Sequence, residues 1–311
     1  MRIVDWLRRE RDQHVSGGLY HTTQLVFAWN SNRMEGSTLT PDQTAQLYDT
    51  GALLATGPND QSKADDVIET TNHFRAFNWM LDHVDDPVDK TLLCHMHAIL
   101  EHGTSQEADP DRNVGGWKTL PNVIDPIEEN HTVLPWDVPA AMDDVATEFH
   151  DLTDSPYRIA HAHWMFETTH PFSDGNGRVG RLILFKELLR IDAMPPLFRD
   201  RNHNYYIRGL KTFGTEPGYL VDTILTERDH YQRLVDTLAP GRVRYTYNDD
   251  WSAQRQCIET TMETHPATNP WILTDWTGID MTRHTPSERY IPGIGFTTPD
   301  NNTTTETPRI D

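Results

Sequence analysis

Cysteine is nearly absent: Cys94 and Cys257 are the whole supply in 311 residues. Two thiols cannot staple a framework, so a reducing compartment is expected and the fold has to rest on a buried core. A chain of this length can bury one, as a single large domain or two small ones. Long apolar runs are also missing. No stretch approaches the ~20 apolar residues that a membrane span needs, and the opening MRIVDWLRRERDQHV is charged where a signal peptide is apolar. Basic charge is scarce: 27 Lys+Arg face 47 Asp+Glu, a formal net charge of −20. Such a surface repels phosphate backbones and anionic lipid. General nucleic-acid binding and membrane binding are therefore not expected, and only a local basic pocket stays open. The expectation is a soluble, cytoplasmic protein. Strand-like alternation is scarce too, and no internal repeat is visible.

What is present is helical patterning. Residues 1–35 read as helical with a break at Ser16-Gly17-Gly18, and Gly36 is a helix stop. Thr40-Pro41-Asp42-Gln43 combines an N-cap, a first-turn proline and a capping-box glutamine, which predicts a helix to about Asp49. Residues 63–84 place Phe74, Phe77, Leu81 and Val84 on one stripe, and residues 88–102 follow the same period up to Gly103. Helical patterns return at 138–152, 156–169, 177–190, 203–213 and 217–236. The fold class expected over roughly 1–238 is all-α, divided into N-terminal helices (1–55) and a core (56–238). Gly115 to Ile124, with two glycines and a proline, reads as an extended loop or short hairpin. Beyond Pro240-Gly241 the composition turns to Thr, Pro, Asn and Asp, ending near NNTTTETP. Residues 239–311 are expected to be poorly ordered. The alternative is that Trp271, Trp276, Tyr290 and Phe296 pin this tail to the domain.

The chemistry concentrates in His170 to Arg181, H-P-F-S-D-G-N-G-R-V-G-R. Pro171 disfavours helical geometry at His170, so the preceding helix should end there. A new helix then opens near Gly177, presenting free N–H groups and the positive end of its dipole. Gly175 and Gly177 let backbone approach a ligand, and Arg178 and Arg181 fall on neighbouring positions of the first turn. Together these predict an anion site, with a polyphosphate as the best-fitting anion. Asp174 inside such a cradle calls for a cation, and magnesium bridging to phosphate oxygens supplies it. His170 at the rim suits a general base.

Two other readings use the same residues. Gly175-Asn176-Gly177-Arg178-Val179-Gly180 spells the dinucleotide fingerprint, but the preceding AHAHWMFETTHPFSD is helical and then polar, so the required strand is missing. His95-x-His97 and His161-x-His163 resemble metal-ligand pairs. On a helix, however, residues two apart point to different faces, so core or surface histidines are the simpler reading.

His170 to Arg181 fits the Fic family signature, H-x-F-x-[D/E]-G-N-G-R-x-x-R, at every specified position. The chain thus resembles Fic-domain proteins over roughly residues 20–235. The resemblance implies a Fic-type helical bundle with a short β-hairpin flap. It also implies transfer of AMP from ATP to a hydroxyl side chain (Ser, Thr or Tyr) of a target protein, with release of pyrophosphate. On that resemblance His170 is the base and Phe172 fixes the loop. Asp174 is the magnesium ligand, and Gly175, Asn176 and Gly177 form the phosphate cradle. Arg178 holds the outer phosphates and Arg181 positions the γ-phosphate; His170, Asn176 and Arg178 are the catalytic set. Such positioning and charge neutralisation is the logic of phosphoryl-type transfer.

Further matches lie outside the core. Ser31-Asn32-Arg33-Met34-Glu35-Gly36 resembles the family's inhibitory motif, [S/T]-x-x-x-E-[G/N], in the group with an N-terminal inhibitory helix. It implies that Glu35, with Ser31, pairs with Arg181 in the space of the γ-phosphate, and in some members the same glutamate is linked to AMP removal. Trp117, Lys118 and Thr119, continuing to Asn122-Val123-Ile124, resemble the flap that grips the target backbone. The family more often has Tyr/Phe and Arg at the first two of these positions. Tyr205 and Tyr206, in NHNYYIR, fall near the expected nucleotide base, and either stacking or helix packing suits them. The alternative functions are a Fic-fold transferase that moves another group (UMP, phosphate or phosphocholine) and a nucleotide-binding regulatory protein with little turnover. Homo-oligomerisation stays open.

Overall fold

The computed structural model describes residues 1–53, 62–124 and 130–298. Helices α1 (Ile3–Asp12) and α2 (Leu19–Met34) are separated by the expected glycine break. In α3 (Pro41–Thr50) the Thr40 Oγ1 accepts from the Gln43 N–H at 3.2 Å and the Gln43 Oε1 accepts from the Thr40 N–H at 2.9 Å, the reciprocal cap read from sequence. Then come α4 (Ala64–Asp82), α5 (Lys90–Leu100), with its Asp89 cap, and the single turn α6 (Ser105–Ala108). Strands β1 (Val123–Ile124) and β2 (Asn130–His131) pair antiparallel. Helices α7 (Val138–His150), α8 (Pro156–Thr169), α9 (Asn176–Arg190), α10 (His203–Thr212) and α11 (Gly218–Leu238) complete the bundle. The tail adds α12 (Ser252–Thr264) and a hairpin of β3 (Arg289–Ile291) and β4 (Gly295–Thr297). The architecture is the expected all-α bundle with a short flap.

Helix α9 is the axis. Every residue from Arg178 to Leu189 is buried, so its sequence is apolar or internally paired all round rather than striped. It contacts α2, α4, α5 and α8, and Phe185 packs against Phe27, Phe77 and Tyr231 at 5.3, 5.7 and 5.3 Å between ring centroids. One apolar cluster runs from Ile3 to Trp251. The N-terminal helices and the core therefore share one interior; the boundary drawn at 55/56 lies outside the described residues.

The tail differs from the expectation of poor order. Its described part, 239–298, carries regular elements and is tied down by the aromatics that the sequence offered as anchors. Trp276 stacks on His131 at 4.4 Å, Tyr290 stacks on His95 at 4.4 Å, and the Trp271 Nε1 donates to Asp144 at 2.8 Å. Backbone bonds add to them: the Thr285 N–H donates to the Thr119 carbonyl at 2.8 Å and the Tyr290 N–H to the Gly115 carbonyl at 2.6 Å. Composition misses this because the tail borrows apolar surface from the bundle instead of building its own core. The NNTTTETP stretch lies outside the described residues. Among those described, no helix is long and apolar enough to cross a membrane.

Candidate active site

The site is built where α8 hands over to α9. Helix α8 ends at His170, which adopts left-handed geometry (φ 52°, ψ 62°) while its N–H still bonds the Phe166 carbonyl at 3.1 Å. Left-handed geometry at a residue other than glycine is uncommon, and Pro171 bars a further helical turn. The loop is then closed by Asn176. Its Oδ1 accepts from the Phe172 N–H at 2.8 Å and its Nδ2 donates to the Phe172 carbonyl at 2.9 Å. Phe172 is buried, stacked on His97 at 4.0 Å and tilted against Trp117 at 5.3 Å. Gly175, at φ 72°, is the N-cap of α9, and its N–H donates to the Asp174 Oδ1 at 2.7 Å.

An anion already sits at this helix end. A Cβ on Gly177 would collide with the Glu35 Oε1 and with the Arg181 Nη1. The Glu35 carboxylate thus rests against the first turn of α9, where free N–H groups and the dipole favour negative charge. It reaches there from the C-cap of α2, whose turn is completed by Gly36 at φ 95°. The Arg181 Nη2 donates to the Glu35 Oε1 at 2.7 Å and to the Ser31 carbonyl at 2.9 Å, and its Nε donates to the Ser31 Oγ at 3.0 Å. Ser31 and Glu35 are one helical turn apart, so both face the same guanidinium. Burial pushes the Glu35 carboxyl up, but Arg181 and Arg178 outweigh it and hold the group below its usual range.

Arg178 has its own partners. Its Nη2 donates to the Glu101 Oε1 at 2.7 Å and its Nη1 lies 3.5 Å from the Glu69 Oε2. The Glu101 Oε1 also underlies Gly175, so a side chain there would meet it. Burial drives the Glu101 carboxyl up to about 7, against the pull of Arg178 and with repulsion from Asp174 and Glu69 adding to it. His170 is pushed well below its usual value by burial, with Lys118 acting in the same direction; the Glu167 carbonyl and Glu35 oppose them. The imidazole is therefore neutral at pH 7. Its Nδ1 lies 3.3 Å from the Glu167 carbonyl, which requires the proton on Nδ1 and leaves Nε2 as the acceptor.

The structure brings together His170, Asp174, Gly175, Asn176, Gly177, Arg178, Arg181, Ser31 and Glu35. Other expectations need correction. The Asn176 side chain turns inward onto Phe172 and shapes the loop. Trp117, Lys118 and Thr119 are buried rather than displayed to a partner, because the tail covers their backbone edge. The hairpin strands beyond them, β1 and β2, are tied to the His170 loop through Asn122, whose Nδ2 donates to the Phe172 carbonyl at 3.3 Å. The tyrosine pair splits. Tyr206 is buried, with its hydroxyl 2.7 Å from the His163 Nε2, while Tyr205 is 64% exposed beside a cleft of about 280 Å³ between α10 and α11. Glu69 and Glu101 were missed. A signal existed: Glu101 continues the buried stripe of Cys94 and His97 on α5, where a charge needs a partner. His97 and His163 are core side chains, the first accepting from the Gly115 N–H at 3.0 Å.

Fold and site define a mostly helical protein with a glycine-containing loop, faced by a carboxylate, at the start of its central helix. Residues 87–188 match the Fic/DOC family. It is 26% identical over 209 residues to protein adenylyltransferase fic-1 of Caenorhabditis elegans, covering 63% of this chain and 38% of that one. With fic-1 of Caenorhabditis briggsae it shares 26% identity over 184 residues, 56% of this chain and 33% of the other. The chain thus spans well under half the length of these curated relatives. The structure of a Fic-domain-containing signalling protein from Bacteroides thetaiotaomicron aligns with a TM-score of 0.58 at 21% identity, over 76% of this chain and 93% of that chain. Residues 134–508 of C. elegans Fic-1 align at 0.58 and 19% identity, over 76% and 72%. These two likenesses carry the fold.

Proposed function

We propose that the protein transfers AMP from ATP to a hydroxyl side chain of a target protein, and that Glu35 holds this activity in check. The observation that carries the reading is the Glu35 carboxylate lying against Gly177 and 2.7 Å from the Arg181 guanidinium. A side-chain anion standing in a glycine-lined cradle marks the place where phosphate oxygens fit. In the transfer, His170 Nε2 takes the proton of the target hydroxyl, and the freed oxygen attacks the α-phosphorus. The bond from that phosphorus to the bridging oxygen breaks, and pyrophosphate leaves. Arg178 orders the loop from below, and Arg181 takes up the terminal phosphate once Glu35 moves aside. Asp174 fits a magnesium ion held mostly by phosphate oxygens and water, since it is the one carboxylate in the loop itself. Such an ion would neutralise charge on the phosphates. The target is pictured as an extended segment lying along β1–β2.

The test compares wild type, Glu35→Gly and Glu35→Gly/His170→Ala by intact mass and labelled ATP. Removing a charge-assisted hydrogen bond of about 1.5–3 kcal/mol should raise transfer roughly tenfold to a hundredfold in Glu35→Gly. Loss of the base should lower it about 10²–10⁴-fold in the double variant. Equal activity of wild type and Glu35→Gly would sink the inhibitory role. A Glu35→Gly protein that binds ATP yet labels neither itself nor any lysate protein would sink the transferase.

A further inference from the structure

Lys118 is a buried lysine that the reaction above does not use. Its side chain is 1% exposed, and no carboxylate among the described residues pairs with it. Burying an ammonium group is costly, and an apolar side chain would fill the same space without that cost. The group does have neutral partners. Its Nζ donates to the Asn122 Oδ1 at 2.8 Å and to the Thr132 Oγ1 at 2.7 Å. Asn122 is the last residue before β1 and Thr132 the first after β2, so one amino group ties both legs of the hairpin at its open end.

The same residues reach the catalytic loop. The Lys118 N–H donates to the Pro171 carbonyl at 2.8 Å, and the Asn122 Nδ2 donates to the Phe172 carbonyl at 3.3 Å. Those carbonyls belong to the two residues that follow His170. The Thr132 Oγ1 bonds the Asn122 carbonyl at 2.8 Å, which closes the network. Hairpin and histidine loop are thereby bolted together, and of the phosphate cradle Asn176 shares the Phe172 carbonyl, its Nδ2 donating there at 2.9 Å. We propose that Lys118 is a positioning residue for the transfer reaction: it sets both legs of the β1–β2 hairpin against the His170 loop, and so sets where a target hydroxyl meets His170. This rests on the transferase reading given above.

The experiment uses the full chain with Glu35→Gly as parent, and adds Lys118→Met or Lys118→Arg. Methionine keeps the length and removes the donor; arginine keeps donors for Asn122 and Thr132. Three quantities are read: ATP affinity by calorimetry, the rate of AMP transfer, and amide hydrogen exchange at residues 119–124 and 130–133. In Lys118→Met, ATP affinity should stay within about twofold of the parent. Transfer should fall about tenfold to a hundredfold, as expected for a misplaced reactant, with faster exchange confined to the hairpin. Lys118→Arg should recover most of the rate. Unchanged transfer overturns the proposal, as does a loss of ATP affinity and transfer together with faster exchange throughout the chain, which is the mark of a merely structural lysine. A parent that binds ATP but transfers nothing overturns the transferase reading and the catalytic part of this proposal with it. Exchange in Lys118→Met that matches the parent overturns the bolt itself.

Discussion

Arg178 and Arg181 lie in the first turns of α9 and each meets a glutamate oxygen at 2.7 Å, but the two contacts are built for different ends. Glu101 is 0% exposed and sits at the end of a helix whose core-facing side is apolar, and nothing can leave there without opening the bundle. Glu35 keeps 31% of its side chain exposed, and it hangs from a helix end that a single glycine terminates. The first contact is part of the interior. The second lies over a helix N-terminus at the edge of the bundle. Two identical distances therefore describe an interior contact and a partly exposed one, and burial of the acid is what separates them.

The comparison can be broken first on stability. Glu101→Ala leaves Arg178 buried with Glu69 alone, at 3.5 Å. Removing one partner of a buried pair costs about 3–5 kcal/mol, and a thermal melt should show a fall of many degrees. Glu35→Ala, at the exposed contact, should cost far less. Equal losses would mean that the two contacts do not differ as described.

The pH dependence should be opposite in sign. The folded-state Glu35 carboxyl is depressed, so its contribution is present above the unfolded value of about 4.3 and is lost as pH falls through the folded value. The folded-state Glu101 carboxyl is raised to about 7, so its contribution is present below the unfolded value and is lost as pH rises through 7. Melts of Glu35→Gln and Glu101→Gln between about pH 2 and 8 check this. Wild type should gain on the first variant as pH rises to about 4.3 and hold level above it, and lose ground to the second as pH rises from there to about 7. Parallel curves would contradict the assignment.

The smallest effect sharpens the partly exposed contact. Ser31→Ala deletes one acceptor of Arg181, at 3.0 Å, and leaves both the Ser31 carbonyl and Glu35 in place. A loss of about 1 kcal/mol is expected, seen as a modest gain of transfer far below that of Glu35→Gly. A gain as large as that of Glu35→Gly would make the serine, not the carboxylate, the true lock.

Much of this site could be read along the chain because its parts are local. Helix stops at Gly36 and Pro171, the capping box at Thr40 and the loop from His170 to Arg181 depend on neighbours within a few residues. Each falls where the pattern places it. Long-range partners were not legible. Glu69 and Glu101 meet Arg178 across intervals of 109 and 77 residues. No local rule links such positions. Lys118 was read as facing a partner, and only the tail laid over Thr119 and Gly115 shows why it is buried.

The sequence by itself determined the elements, the glycine-lined loop and the acid four residues behind Ser31, because backbone geometry, capping and helical period act over one or two turns. The tertiary structure decided which carboxylate each arginine holds. It also decided which of Tyr205 and Tyr206 is buried, and that a polar tail folds back onto the bundle. Those outcomes depend on which surfaces lose their water together, and desolvation is a property of the packed molecule rather than of any stretch of chain.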